Sequence, residues 1–221
     1  MVPTLRPFRP ARGWLVLLGG SSGTWPPTEP VDRAAIERMP RGPIAFVPAA
    51  GCPPDYGESF LATYARLGAP DGYVVEVRDL ASARDARNAA LLKDAGLVYF
   101  GGGDTTRLLA AMTGTPALDA VAAAYERGAV IVGMSAGAIA LAAYGVSLSA
   151  GVLQGWGWLP DALVSVHHTP ARDEALARAH RDRPGTVAIA LPEHAALAIG
   201  PEGEVEEWGE PGIGITSGPA S

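Results

Sequence analysis

Three observations predict an α/β protein, a three-layer arrangement with a mostly parallel sheet and helices on both faces. Short apolar runs alternate along the chain with stretches whose apolar residues recur every three to four positions. Glycine or proline stands at the ends of the runs. One run, Ala129–Val132, passes through Gly133-Met134-Ser135-Ala136-Gly137 into the alanine-rich Ala138–Ala143, which reads as a strand, a tight turn and a helix with a serine at the apex.

Taken in order, Trp14–Leu18 is the first strand and ends in Gly19-Gly20-Ser21-Ser22-Gly23. Val31–Met39 reads as a helix, and Ile44–Val47 as a strand ending in Pro48-Ala49-Ala50-Gly51. Helix Phe60–Leu67, strand Tyr73–Val77 and helix Ala83–Leu92 follow. Strand Leu97–Phe100 runs into Gly101-Gly102-Gly103-Asp104, where Asp104 is placed to cap a helix over Thr105–Met112. Helix Leu118–Tyr125, strand Val130–Val132, strand Leu163–Val166, helix Glu174–His180 and strand Val187–Leu191 complete the alternation. Unbroken apolar runs of this kind suit strands buried on both faces. Ala195–Ile199 and Val205–Trp208, around Pro201-Glu202-Gly203, read as an antiparallel hairpin at the C-terminal sheet edge. One domain is expected over 12–210, with 1–11 and 211–221 as flexible termini.

Composition supports that single domain and excludes several roles. With 48% hydrophobic and 18% charged residues, 221 residues suffice for one large core. A net charge of -6 without any basic run argues against nucleic acid as a partner. The run Trp14–Leu18 is far too short to span a bilayer, and the preceding Pro/Arg-rich segment lacks the apolar centre of a secretion signal, so no membrane association is expected. Cys52 is the only cysteine, which excludes an intramolecular disulfide and fits a reducing, cytoplasmic setting. Trp156 and Trp158, if exposed, would suit a homodimer interface or a pocket wall.

The elbow has a chemical rationale. A nucleophile on a sharp strand-to-helix turn needs small neighbours, supplied by Gly133 and Gly137, and the turn aims the Ala136 amide at a developing oxyanion. In such sheets ligands bind beyond the carboxyl ends of the strands. The glycine loops at 19–23, 48–51 and 101–104 are expected to converge there with Ser135.

Tyr99–Leu109, which contains Gly101-Gly102-Gly103-Asp104, followed by Gly133-Met134-Ser135-Ala136-Gly137-Ala138, resembles the peptidase E and cyanophycinase family of serine peptidases. The likeness continues through Trp158-Leu159-Pro160, Val166-His167 and Ala190-Leu191-Pro192-Glu193, covering about Trp14 to Ile199. It implies a class I glutamine amidotransferase-like fold and a triad of Ser135, His167 and Glu193, with Gly102 or Gly103 and Ala136 as oxyanion donors and no metal or cofactor. His167 would take the Ser135 proton and Glu193 would orient the imidazole. His168 follows on the same strand and would face the other side, so only one of the two can be the base; the resemblance favours His167, a register shift of one residue would make it His168, and otherwise His168 packs, lines the pocket or binds substrate. A rival order, Ser135, Asp161 and His194, would match α/β-hydrolases, but Phe100 precedes the glycine loop where that class has a histidine, and the chain is short for it.

The resemblance also implies a substrate. Peptidase E releases N-terminal aspartate from dipeptides, and Arg172 falls where that enzyme's carboxylate-reading arginine lies. Departures are a shorter segment between His167 and Arg172, Ala175 in place of a second arginine, and Met134 in place of a tryptophan. The expected activity is serine peptidase hydrolysis of short peptides with N-terminal aspartate. Alternatives are a broader or cyanophycinase-like specificity, less favoured because only Arg172 represents the several arginines that follow that enzyme's histidine, and a noncatalytic module binding acidic peptides on the same scaffold.

Overall fold

A computed structural model describes Leu5, Pro7 and residues 12–21, 28–147 and 150–218. The strands β1 (Leu15–Leu18), β2 (Ile44–Val47), β3 (Gly72–Val74), β4 (Leu97–Phe100) and β5 (Val130–Met134) are parallel, and β10 (Ala195–Ile199) and β11 (Val205–Gly209) add an antiparallel pair. Together they form one seven-stranded sheet in the order β11-β10-β1-β5-β4-β2-β3, with β11 at the edge as the hairpin reading requires.

Successive residues divide the core. Val16, Leu18, Phe46, Tyr99 and Val132 face one side, where α1 (Glu29–Arg38) and α2 (Tyr56–Arg66) bring Val31, Ala35, Phe60 and Tyr64. Leu15, Leu17, Val98, Phe100 and Ile131 face the other, toward α3 (Ala86–Asp94), α4 (Thr105–Met112), α5 (Pro116–Arg127) and α6 (Ala136–Leu141). Burial on both faces explains why these strands read as unbroken apolar runs.

The structure departs from the sequence reading in its second half. Leu163–Val166 and Val187–Leu191 do not join the main sheet. They belong to a second, five-stranded sheet in the order β12-β9-β8-β6-β7, formed by β6 (Ala142–Ser147), β7 (Gly151–Gln154), β8 (Leu159–Ser165), β9 (Val187–Ala190) and β12 (Gly214–Ser217). Helix α6 packs between β1 and β5 of one sheet and β6 and β8 of the other. Helix α7 (Asp173–Arg181) covers the outer face of the second sheet through Leu176 and Ala179. Ala142 and Ala143, expected to end a helix, begin β6, because pairing with β8 overrides the weak preference of alanine.

The C-terminal stretch 211–221, expected to be flexible, contains β12, which pairs with β9. Ile213 and Ile215 pack on the core, and Glu207 Oε1 accepts the Gly212 and Ile213 amides at 2.7 and 2.9 Å, which fixes the chain before the strand. Within 1–11, Leu5 is buried in the same core, and the remainder apart from Pro7 lies outside the described residues. Trp156 and Trp158 are half-buried against Phe100 and Tyr125.

Candidate active site

Ser135 occupies the junction of β5 and α6 with φ 52°, a backbone region that side-chain-bearing residues rarely adopt. The turn is held from both sides: the Ser135 amide donates to the Leu18 carbonyl at 2.9 Å, and its carbonyl accepts from Ile139 at 3.1 Å. A methyl group on Gly133 would lie 2.5 Å from the Gly137 carbonyl carbon and oxygen, and one on Gly137 would lie 2.9 Å from Phe100 Cβ. Both glycines are therefore needed for α6 to lie this close to β4 and β5.

The loop after β1 reaches the site, where Ser21 lines the cavity, and it also fastens the histidine segment. The Gly19 carbonyl accepts the His167 amide, the Gly20 carbonyl accepts the His194 amide, and Leu191 accepts from His168, each at 2.9 Å. Gly20 has φ +141°, and its bare α-carbon faces the His167 ring; a methyl there would overlap Cε1 and stand 2.6 Å from Nδ1. The histidine segment after β8 and the Pro192-Glu193 segment after β9 are thereby fastened to the end of β1, beside Ser135.

Ser135 Oγ lies 2.8 Å from His167 Nε2, and His167 Nδ1 lies 2.9 Å from Glu193 Oε1. An ionised carboxylate only accepts, so the proton is assigned to Nδ1, and Nε2 accepts from the serine hydroxyl. The His167 and Glu193 side chains are 31% and 30% exposed, which leaves the imidazole accessible to a substrate.

Gly102 lies beside the nucleophile, with its α-carbon facing Met134 and the Ser135 Cβ. Among the described residues neither the Gly102 nor the Gly103 amide has a protein acceptor, and the Ala136 amide opens α6, where no intrahelical partner exists. All three are backbone donors near the nucleophile. Asp104 caps α4 by accepting the Thr106 and Arg107 amides at 2.7 and 3.2 Å, and these hydrogen bonds, with that of the Thr106 hydroxyl foremost, hold its carboxyl below the ordinary value.

A cavity of about 300 Å³ opens at this point, lined by Ser21, Gly51, Cys52, Pro53, Tyr56, Gly102, Gly103, Met134, Ser135 and His167. Sequence reasoning placed the loop after β2 at this edge but missed Cys52 and Tyr56 as wall residues. No motif marks them, and only the approach of that loop to β5 brings them in.

His168 and Arg172, expected to bind substrate, do not line the cavity. His168 is 9% exposed and is held between Ser165 Oγ at 2.9 Å and Asp173 Oδ1 at 2.8 Å. Arg172 donates Nη1 to the Val166 carbonyl at 2.9 Å. Both side chains are thus bonded to residues flanking His167. The rival triad is not assembled: the His194 Nδ1 faces Glu210 at 3.6 Å, its buried Nε2 has no hydrogen-bond partner, and Asp161 is exposed on β8. Among the described residues no group of three or more His, Cys, Asp or Glu side chains is placed to hold a metal ion, and no single helix is long and apolar enough to cross a membrane.

The model of peptidase family S51 matches residues 15–205. A cyanophycinase from Geminocystis herdmanii is 26% identical over 190 residues, covering 80% of this chain and 70% of that protein. Among solved structures, a peptidase from an acI-B1 Actinobacterium superimposes with a TM-score of 0.74 at 22% identity, covering 93% of this chain and 91% of the other. A Listeria monocytogenes EGD-e structure whose name places it with peptidase E gives a TM-score of 0.58 at 17% identity, covering 91% and 100%. Both share the fold.

Proposed function

From the premise that the chain belongs to peptidase family S51, and so is a serine-type peptidase, we propose that it hydrolyses short peptides, releasing N-terminal aspartate through an acyl-enzyme formed on Ser135. The observation that carries this reading is the continuous chain Ser135 Oγ, His167, Glu193, with bonds of 2.8 and 2.9 Å, on a strained elbow.

The chemistry follows from that arrangement. His167 Nε2 takes the Ser135 proton as Oγ attacks the peptide carbonyl, then returns it to the leaving amine. Glu193 holds the ring with Nδ1 protonated and stabilises the imidazolium. The Gly102 or Gly103 amide, together with that of Ala136, receives the oxyanion. Water then repeats the sequence in reverse on the ester, with His167 again as base. A cavity of about 300 Å³ suits one or two residues, which supports short substrates. We place this activity in the cytoplasm, where the single Cys52 stays reduced.

A second reading, action on cyanophycin, is favoured by the name of the 26%-identical relative. Steady-state hydrolysis of Xaa-Leu dipeptides, longer Asp-initiated peptides and a β-aspartyl-arginine dipeptide separates the two. Preference for Asp-Leu, with Ser135→Ala inactive and unlabelled by a serine-directed phosphonate, is the expected result. Turnover of the β-linked substrate alone would replace the dipeptidase reading. Binding of acidic peptides without turnover or labelling would leave a noncatalytic module.

A further inference from the structure

An acidic substrate side chain needs a counter-charge, and the residues lining the cavity supply none except His167. Arg172 stands outside that lining, bonded to a backbone carbonyl. Another arginine, itself outside the lining, touches the cavity wall at Gly51. Arg107, in the first turn of α4, lays its guanidinium on the bare α-carbon of Gly51, in the cavity wall: a methyl there would stand 2.7 Å from Nη1, 3.2 Å from Cζ and 3.3 Å from Cδ. Gly51 also has φ +88°, so a side chain is excluded by conformation and by contact together.

Among the described residues the Arg107 guanidinium makes no ion pair or hydrogen bond. The nearby carboxylates, Asp79 and Asp104, feel its charge but take their hydrogen bonds from Ser82 and from the start of α4. Arg78, the other cation near this wall, is paired with Glu76 at 2.9 Å. Burial pushes the Cys52 thiol up, opposed by the charges of Arg78 and Arg107.

We propose that Arg107 is the specificity-determining cation of this site, which binds the side-chain carboxylate of an acidic residue on the N-terminal side of the scissile bond. The proposal rests on the peptidase reading above and deepens it. A planar guanidinium can offer two parallel hydrogen bonds to a carboxylate. Gly51 is the device that sets its height.

The test compares kcat/KM for Asp-Leu, Asn-Leu and Asp-Leu amide in the parent protein, Arg107→Gln, Arg107→Lys and Arg172→Gln. The expected parent preference for Asp over Asn is about tenfold to a hundredfold. Arg107→Gln brings that ratio close to one, Arg107→Lys keeps part of it, and Arg172→Gln lowers turnover of all three peptides without changing the ratio. A ratio retained in Arg107→Gln overturns the proposal, as does an Arg107 effect that disappears on C-terminal amidation, which would mean that the terminal carboxylate is read. Calorimetric binding of Asp-Leu to Ser135→Ala, with and without Arg107→Gln, makes the same comparison without turnover. Equal affinities there overturn the proposal, whereas weaker binding in the double variant supports it even if no peptide is hydrolysed.

Discussion

Gly20→Ala should separate catalysis from folding, and its size follows from one contact. The new methyl would overlap His167 Cε1 and stand 2.6 Å from Nδ1, against an ordinary contact of 3.4–4 Å, so the imidazole must retreat by about 1 Å. Its bonds to Ser135 and Glu193 are 2.8 and 2.9 Å long, and at least one of them breaks, since useful N–H···O distances end near ~3.2 Å. A misplacement of ~1 Å costs about 10²-fold in rate, and outright loss of the base costs about 10⁴-fold or more. We therefore expect kcat/KM for Asp-Leu to fall by about 10² to 10⁴, with phosphonate labelling of Ser135 slowed in parallel. The backbone strain of alanine at φ +141° adds about 1–3 kcal/mol of destabilisation, or a Tm lower by ~2–4 °C per kcal/mol for a chain of this size. Gly68→Ala is the control: φ is +84° and a methyl there meets nothing within 4 Å, so Tm should fall while kcat/KM holds. A folded Gly20→Ala protein with parental kcat/KM would refute the claim that this glycine sets the histidine.

Two further variants test the acid and a buried carboxyl on α1. Glu193→Gln keeps the shape of the partner but no longer favours Nδ1–H; kcat is expected to drop about 10²- to 10⁴-fold with little change in KM, and a loss below ~10-fold would make Glu193 a surface residue. Asp32, which accepts from Thr28 Oγ at 2.9 Å and Tyr64 Oη at 2.7 Å, has its carboxyl pushed from 3.8 to about 6, first by burial and opposed by those two hydroxyls. The folded state thus holds this proton more tightly than the unfolded state, and the stability it confers is complete below pH ~4 and lost as pH rises through 6. At ~1.4 kcal/mol per pH unit the interval amounts to about 3 kcal/mol. Urea titrations should show Asp32→Asn gaining about 2–3 kcal/mol on the parent between pH 4 and pH 7; a difference that stays constant with pH would contradict the reasoning.

The chain alone determined whatever depends on local pattern. Leu15–Leu18, Ile44–Val47 and Leu97–Phe100 read as strands because burial on both faces leaves no polar position to interrupt them. Gly133-Met134-Ser135-Ala136-Gly137 read as an elbow because only small residues let α6 pass so close to β4 and β5. Ser135, His167 and Glu193 were named from short motifs whose order and separation are visible in the sequence, and the structure joins them by hydrogen bonds. Tertiary structure decided the rest. β6 opens on two alanines and β12 on a glycine, and each is placed as a strand by its partner, β8 or β9. Which way His168 and Arg172 turn, and that Gly20 seats a histidine while Gly51 seats Arg107, depend on contacts between segments far apart in the chain. A bare α-carbon looks the same in sequence whether it bends a loop or receives a ring, and only the neighbour brought against it by the fold distinguishes the two.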